Sequence, residues 1–196
     1  CDELAGDFLN YFALDDRHVA VFVVDVSGHG VASSLLSVTV GRLLTPQVSS
    51  TSLLVQDGNG SGPRVVPPLE VIHELNRRFP MTDQNGLYFT IVYGVLDTET
   101  LDFRYSVAGH PQIVRVPDGG APELLPGEGM AIGWTPEIWA EEQSVKLEPG
   151  DRLFLYSDGV PEAMDPDLKQ FGTIQMLELI ELGRSQPIED SVSLLM

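Results

Sequence analysis

Residues 21–36 read VFVVDVSGHGVASSLL, an apolar run that meets a carboxylate at Asp25, turns through two glycines around His29, and then changes period. Val19 to Val24 is β-branched and aromatic, as suits a strand covered on both faces, whereas Val31 to Leu44 repeats apolar residues at helical spacing. A charge therefore stands where a buried strand ends. Any fold for this chain must give that carboxylate a purpose or a partner, because an isolated charge at a core boundary is costly.

At 196 residues with 43% hydrophobic content, the chain is long enough for one sizeable core, and one domain is the expectation. No apolar stretch has the uninterrupted length of a transmembrane helix. With 11 basic against 29 acidic residues the net charge is −18, a surface that repels nucleic acid phosphates and anionic membranes. Neither is expected as a partner. Solvation alone accounts for much of this charge, although the same field favours a divalent cation. The single cysteine, Cys1, excludes an internal disulfide framework and leans toward a reducing cytoplasm. The opening CDELAGDF has no initiator methionine, so the chain reads as an excised fragment.

The first unit is DFLNYFAL, a polar DDRH turn and the strand to Val24, together a hairpin that sets Asp7 and Asp25 near the same end. Thr45 to Pro67, rich in Ser, Gly and Pro, reads as a mobile surface loop with no apolar face to bury. PLEVIHELNRRF opens a second helix at Pro68, with Leu69, Ile72, Leu75 and Phe79 on one stripe. From Leu87 the runs LYFTIVYGVLD, LDFRYSVAG, QIVRVP, EEQSVKLEPGD and RLFLYSDG read as short antiparallel strands. The final FGTIQMLELIELGRSQPIEDSVSLLM holds two helical patterns separated by GRSQP. The expected architecture is an α+β layered domain.

Three stretches share a form: AGDF with Asp7, VVDVSGHG with Asp25, and LYSDGV with Asp158. In the last two, the aspartate is expected to terminate an apolar strand beside a glycine-bearing turn, which presents it from a rigid edge. Carboxylates gathered at low dielectric repel one another until a hard cation neutralises them, and oxygen-only donors favour Mg²⁺, Mn²⁺ or Ca²⁺ over zinc. The alternative is that each aspartate caps a turn or a helix. Gly28 and Gly30 likewise either free the Val26 carbonyl for a metal and nearby amides for an anion, or only make the turn into the helix. His18, His29, His73 and His110 are too scattered for a zinc site, and Ser27 and Ser157 lack a nucleophile elbow.

In order, AGDF, DVSGHG, FTIVYGVLD, YSVAGHPQ, LEPGDRLFLYSDGVPEAMD and Phe171-Gly172 resemble the bacterial SpoIIE-like, RsbU-like branch of the PPM metal-dependent serine/threonine protein phosphatases, over nearly the whole chain. The resemblance implies a sandwich of two antiparallel β-sheets flanked by α-helices, with a two-ion Mn²⁺ or Mg²⁺ site at one edge. By motif position, it implies Asp7 as carboxylate of the second metal, Asp25 as the bridging carboxylate, Val26 as a carbonyl ligand and Asp158 as the late carboxylate. These three aspartates are the implied catalytic residues. His110 lies toward the substrate side in that family. Two departures stand out: Ala5 replaces the first glycine of the opening motif, and the family's last ligand comes from an Asp-Asp pair before a closing strand. Asp190 follows SQP too early for that role, and Ile188, Val192 and Leu195 fit a helical stripe. The chain is therefore expected to lack both the first strand and the closing strand, with the last ligand beyond Met196.

The activity so implied is hydrolysis of phosphoserine or phosphothreonine by metal-activated water, without a covalent intermediate. The implied substrate is a phosphorylated regulatory protein such as a STAS-type anti-sigma-factor antagonist. A receiver or sensor domain upstream in the same chain and a homodimer complete the implied setting. A second class is a catalytically weak, RssB-like output domain of a response regulator that acts as an adaptor in sigma-factor control. Retention of Asp7, Asp25 and Asp158 favours the enzyme.

Overall fold

Strands β1 (Phe8–Ala13) and β2 (His18–Val26) form the expected hairpin in a computed structural model, which describes residues 6–47, 52–57 and 63–195. The pairing is antiparallel, from Phe8 opposite Val24 to Ala13 opposite Val19. The turn is held by Asp15, whose carboxylate accepts the N–H groups of Arg17 at 2.8 Å and His18 at 2.6 Å. A short polar side chain that mimics a backbone acceptor is the usual device for so tight a reversal. Helix α1 (Val31–Leu43) follows at once.

The segment from Thr45 to Pro67 corrects the sequence reading. Leu53, Leu54, Val55 and Val66 are buried in the main core, and β3 (Val55–Asp57) pairs with β4 (Pro63–Val65). The island SLLV is anchored by Ser52, whose hydroxyl donates to the Thr45 carbonyl at 2.9 Å, and by the Leu53 N–H, which donates to the Leu43 carbonyl at 3.1 Å. Four apolar residues too few to show a period are enough to tether the segment. Residues 48–51 and 58–62 of this stretch lie outside the described residues. Helix α2 (Pro68–Arg78) begins with proline in its first turn, where the missing N–H is not needed, and buries Val71, Ile72 and Leu75.

Downstream come β5 (Phe89–Asp97), β6 (Asp102–Ala108), β7 (Val114–Val116), β8 (Glu123–Leu124), β9 (Glu142–Lys146) and β10 (Arg152–Phe154), then α3 (Gly172–Gly183) and α4 (Ile188–Ser193). The chain divides into two compact units: residues up to His110 with Pro126–Lys146, and Pro111–Leu125 with the residues from Leu147 on. The first unit carries an antiparallel sheet in the order β1-β2-β5-β6-β9, and α2 packs on β5 and β6. Alternation along β2 and β5 sends Phe22, Val24, Val26, Phe89 and Ile91 into this unit's core. The second unit carries the antiparallel sheet β10-β7-β8, and Met176 and Ile180 of α3 pack with Val114 and Val116 of β7.

Two further differences concern the last unit. The strand before Asp158 stops at Phe154, so Asp158 lies in a turn rather than at a strand end. Helix α4 confirms the helical reading of Ile188 to Ser193, but it buries Ser191 and leaves Ile188 and Val192 exposed. The Ser191 hydroxyl donates to the Gly183 carbonyl at 2.6 Å and accepts from Arg152 at 3.0 Å, so polar contacts hold the inner face of α4.

Candidate active site

Asp25 is the penultimate residue of β2 and stands opposite Thr90 of β5. Because successive side chains alternate, it faces away from the core that its neighbours Val24 and Val26 enter. The register that pairs Phe8 with Val24, carried one step further, brings Asp7 beside Asp25, and another step brings Gly6 beside Val26. The closeness of this last approach is visible in what it excludes: a Cβ on Gly6 would lie 2.8 Å from the Val26 carbonyl oxygen. No other residue fits there without moving the strand. Ser37 of α1, itself buried, donates its hydroxyl to the Gly6 carbonyl, with the Ser33 carbonyl as a second acceptor at 3.1 Å. Helix α1 thus fixes the approach to Asp7.

The turn after Asp25 is equally determined. Ser27 and Tyr88 exchange two hydrogen bonds, the Ser27 N–H to the Tyr88 carbonyl at 2.9 Å and the Tyr88 N–H to the Ser27 hydroxyl at 3.0 Å. Gly28 and Gly30 have φ of 78° and 92°, in the left-handed region that favours glycine, as the GHG spacing predicts. The Gly30 carbonyl accepts the hydroxyls of Ser33 and Ser34, each at 2.9 Å, and with glycine at the cap position α1 starts without a side-chain cap on its first N–H groups. Residue Thr90, absent from the sequence reading, shares a 2.8 Å hydrogen bond with Nδ1 of the buried His110. Only the cross-strand register, which sets Thr90 opposite Asp25, gives that threonine away.

The structure therefore brings Asp7, Asp25 and Val26 together on the first unit. Asp158 belongs to the second, where it is exposed and its carbonyl accepts the Glu162 N–H at 2.9 Å. Among the described residues, no three of His, Cys, Asp or Glu group closely enough to hold a metal ion by themselves. The side-by-side carboxylates of Asp7 and Asp25, with a backbone carbonyl beside them, are nevertheless an all-oxygen donor set of the kind hard divalent cations select. Two like charges so placed favour a cation between them.

A different aspartate of the late motif is structural. The Asp151 side chain is 2% exposed and receives Arg115 through Nε at 2.9 Å and Nη2 at 2.6 Å, with the N–H groups of Glu148 and Asp118 at 3.0 Å each. Burial alone would raise its pKa, but these donors hold the carboxyl below the ordinary carboxylate value. The residue ties the turn before β10 to the end of β7.

Residues 15–196 match the family described as Stage II sporulation protein E (SpoIIE). The chain belongs to the SpoIIE family. Within this SpoIIE domain, Asp25, Val26 and Asp158 fall inside the matched residues and Asp7 precedes them. Phosphoserine phosphatase RsbP of Bacillus subtilis (strain 168) is 27% identical over 192 residues, 96% of this chain and 42% of RsbP. The chain thus spans less than half of that relative. The structure of the RsbU and RsbW domains of Rv1364c from Mycobacterium tuberculosis superposes with a TM-score of 0.73 at 25% identity, covering 98% of this chain and 52% of the other. The crystal structure of RsbX in complex with magnesium gives a TM-score of 0.65 at 17% identity, over 98% of this chain and 79% of RsbX. The SpoIIE chain accordingly has the α+β PPM phosphatase fold. No helix among its described residues is long and apolar enough to cross a membrane.

Proposed function

We propose that this chain is a metal-dependent protein phosphatase that hydrolyses phosphoserine or phosphothreonine in a regulatory phosphoprotein, with a STAS-type anti-sigma-factor antagonist as the substrate class. The observation that carries this reading is the β1–β2 register, whose extension sets Asp7 beside Asp25, with Gly6 held by Ser37 of α1 and the turn at Ser27 held by Tyr88. The phosphoserine phosphatase activity named for RsbP and the magnesium named for RsbX support it. On this reading Asp7, Asp25 and the Val26 carbonyl, all on the first unit, are ligands for Mn²⁺ or Mg²⁺. Bound divalent cations supply an activated water at neutral pH and neutralise phosphoryl oxygens.

The chain's own residues supply placement. Ser37 and the absence of a side chain at Gly6 hold the backbone leading into Asp7, and the Thr90–His110 hydrogen bond orders the neighbouring position on β5. Ser27 accepts the Tyr88 N–H, so its hydroxyl serves the turn. The deciding experiment measures phosphate release from a panel of phosphorylated regulatory proteins with Mn²⁺, Mg²⁺ or chelator. Metal-dependent release by the wild type, reduced to the chelator background in Asp25→Asn, is expected. Wild-type turnover in Asp25→Asn with unchanged metal dependence would remove the assignment, and no release by the wild type on any substrate would favour an adaptor.

A further inference from the structure

Both tryptophans of the chain lie between Gly133 and Ala140, and both are half exposed, Trp134 at 53% and Trp139 at 50%. Large aromatic rings left in water on a rigid support are the side chains that most often anchor a partner. This support is rigid by construction. Asn76, buried in α2, accepts the Gly133 N–H at 2.8 Å and donates from its amide nitrogen to the carbonyls of Thr135 at 3.0 Å and Pro136 at 3.2 Å. Ile132 and Phe89 exchange backbone hydrogen bonds at 2.8 Å and 3.3 Å, and the Met130 N–H donates to the Trp139 carbonyl at 2.9 Å. A buried helix residue directs three hydrogen bonds at one surface loop, which then presents Trp134 at its bend.

The ring of Trp134 meets that of Tyr88 edge-on, with centroids 4.8 Å apart. Tyr88 is the residue locked to Ser27, two positions past Asp25, so the aromatic pair adjoins the turn of the candidate active site within the same unit. The two segments that build this edge are acidic, and the arginines that precede them, Arg77 and Arg78, are both paired with Glu74. Segments 79–90 and 126–141, which build this edge, carry Asp83, Glu128, Glu137 and Glu141, all exposed, and no lysine or arginine. An aromatic face carried on acidic segments suits a cationic side chain, through cation–π contact and long-range attraction together.

We propose that Trp134 and Tyr88 form a docking platform for an arginine- or lysine-bearing stretch that flanks the phosphorylated residue of the substrate. The proposal rests on the phosphatase reading for its choice of occupant. It gives the edge beside Asp25 a role in choosing among phosphoproteins, since the metal centre reads only the phosphate. The platform selects the sequence around it.

The test uses the Trp139→Phe chain, in which Trp134 is the only tryptophan, titrated with a synthetic phosphoserine peptide flanked by arginines and with its glutamate-flanked counterpart. Trp134 emission should shift saturably with the arginine peptide, which should bind about tenfold or more tightly than the glutamate peptide and lose that advantage at high salt. In otherwise wild-type protein, Trp134→Ala should raise KM for the arginine peptide about tenfold, with the loss in KM rather than in kcat. Trp134→Phe, which keeps an aromatic face and guards against a folding artefact, should recover most of it. Equal binding of the two peptides, or an unchanged KM in Trp134→Ala, would overturn the platform. So would a change of oligomeric state on Trp134→Ala with peptide binding intact, which assigns the face to a second copy of the chain. Selective peptide binding without phosphate release would leave the platform standing and defeat the phosphatase reading alone.

Discussion

At the scale of single residues, the candidate site depends on side chains that never touch a phosphate. Gly6 is the sharpest case, because a methyl group there would collide with the Val26 carbonyl oxygen at 2.8 Å. Gly6→Ala should therefore push β1 off β2, destabilise the chain by about 1–3 kcal/mol, and weaken Mn²⁺ binding. Urea titration and calorimetry measure the two effects separately, and a stable variant with intact metal affinity would contradict the register that sets Asp7 beside Asp25. Asp151 gives a prediction in pH. Its folded pKa is depressed, so the stability it contributes is present above its unfolded pKa of about 3.9 and is lost as pH falls through the lower folded value. Asp151→Asn should lower the urea midpoint near neutrality, and the gap to wild type should close as the medium becomes more acidic than the ordinary carboxylate range. A gap that is constant down to strong acid would mean that the loss is one of packing.

At the scale of elements, the hairpin, α1, α2 and the long strands were legible because each carries its own period over six residues or more. The segment holding Leu53, Leu54 and Val55 was not, since a burst so short cannot distinguish strand from loop and its serines and glycines dominate the local composition. Its burial makes a clear expectation: Leu54→Ala should cost about 2–5 kcal/mol, as for a core leucine, against almost nothing for a residue of a surface loop. Thermal or urea unfolding decides. Asn76 was invisible for a different reason, because a polar residue next to a helical apolar stripe reads as its solvent edge, and only the loop it binds shows otherwise. The same holds at the site. Asp25 announced itself by interrupting an apolar run and Asp7 by its place in the hairpin, whereas Thr90 looks like any strand threonine until pairing sets it opposite Asp25. Asp158 was placed at a strand end because RLFLY continues apolar after Phe154, although its ladder has already stopped.

At the scale of the whole molecule, a net charge of −18 means that the folded state confines repelling carboxylates, and cations that bind it specifically should stabilise it beyond simple screening. Mn²⁺ should raise the melting temperature more than sodium chloride of matched ionic strength, and Asp25→Asn should lose most of that excess. An equal response in both proteins would assign the effect to diffuse screening. One consequence of the hairpin reaches further than any substitution. Asp7 and Asp25 share a face only because the reversal through Leu14 to Arg17 has its present length, and side chains in a strand alternate with a period of two. Insert one residue in that reversal, and β1 can re-form its ladder only by sending Asp7 to the other side of the sheet or by bulging. The composition would be almost unchanged and every carboxylate retained, yet the pair would be gone. Lineages of this domain should therefore keep the number of residues in that reversal, and the spacing between the two aspartates is as much a part of the site as the aspartates themselves.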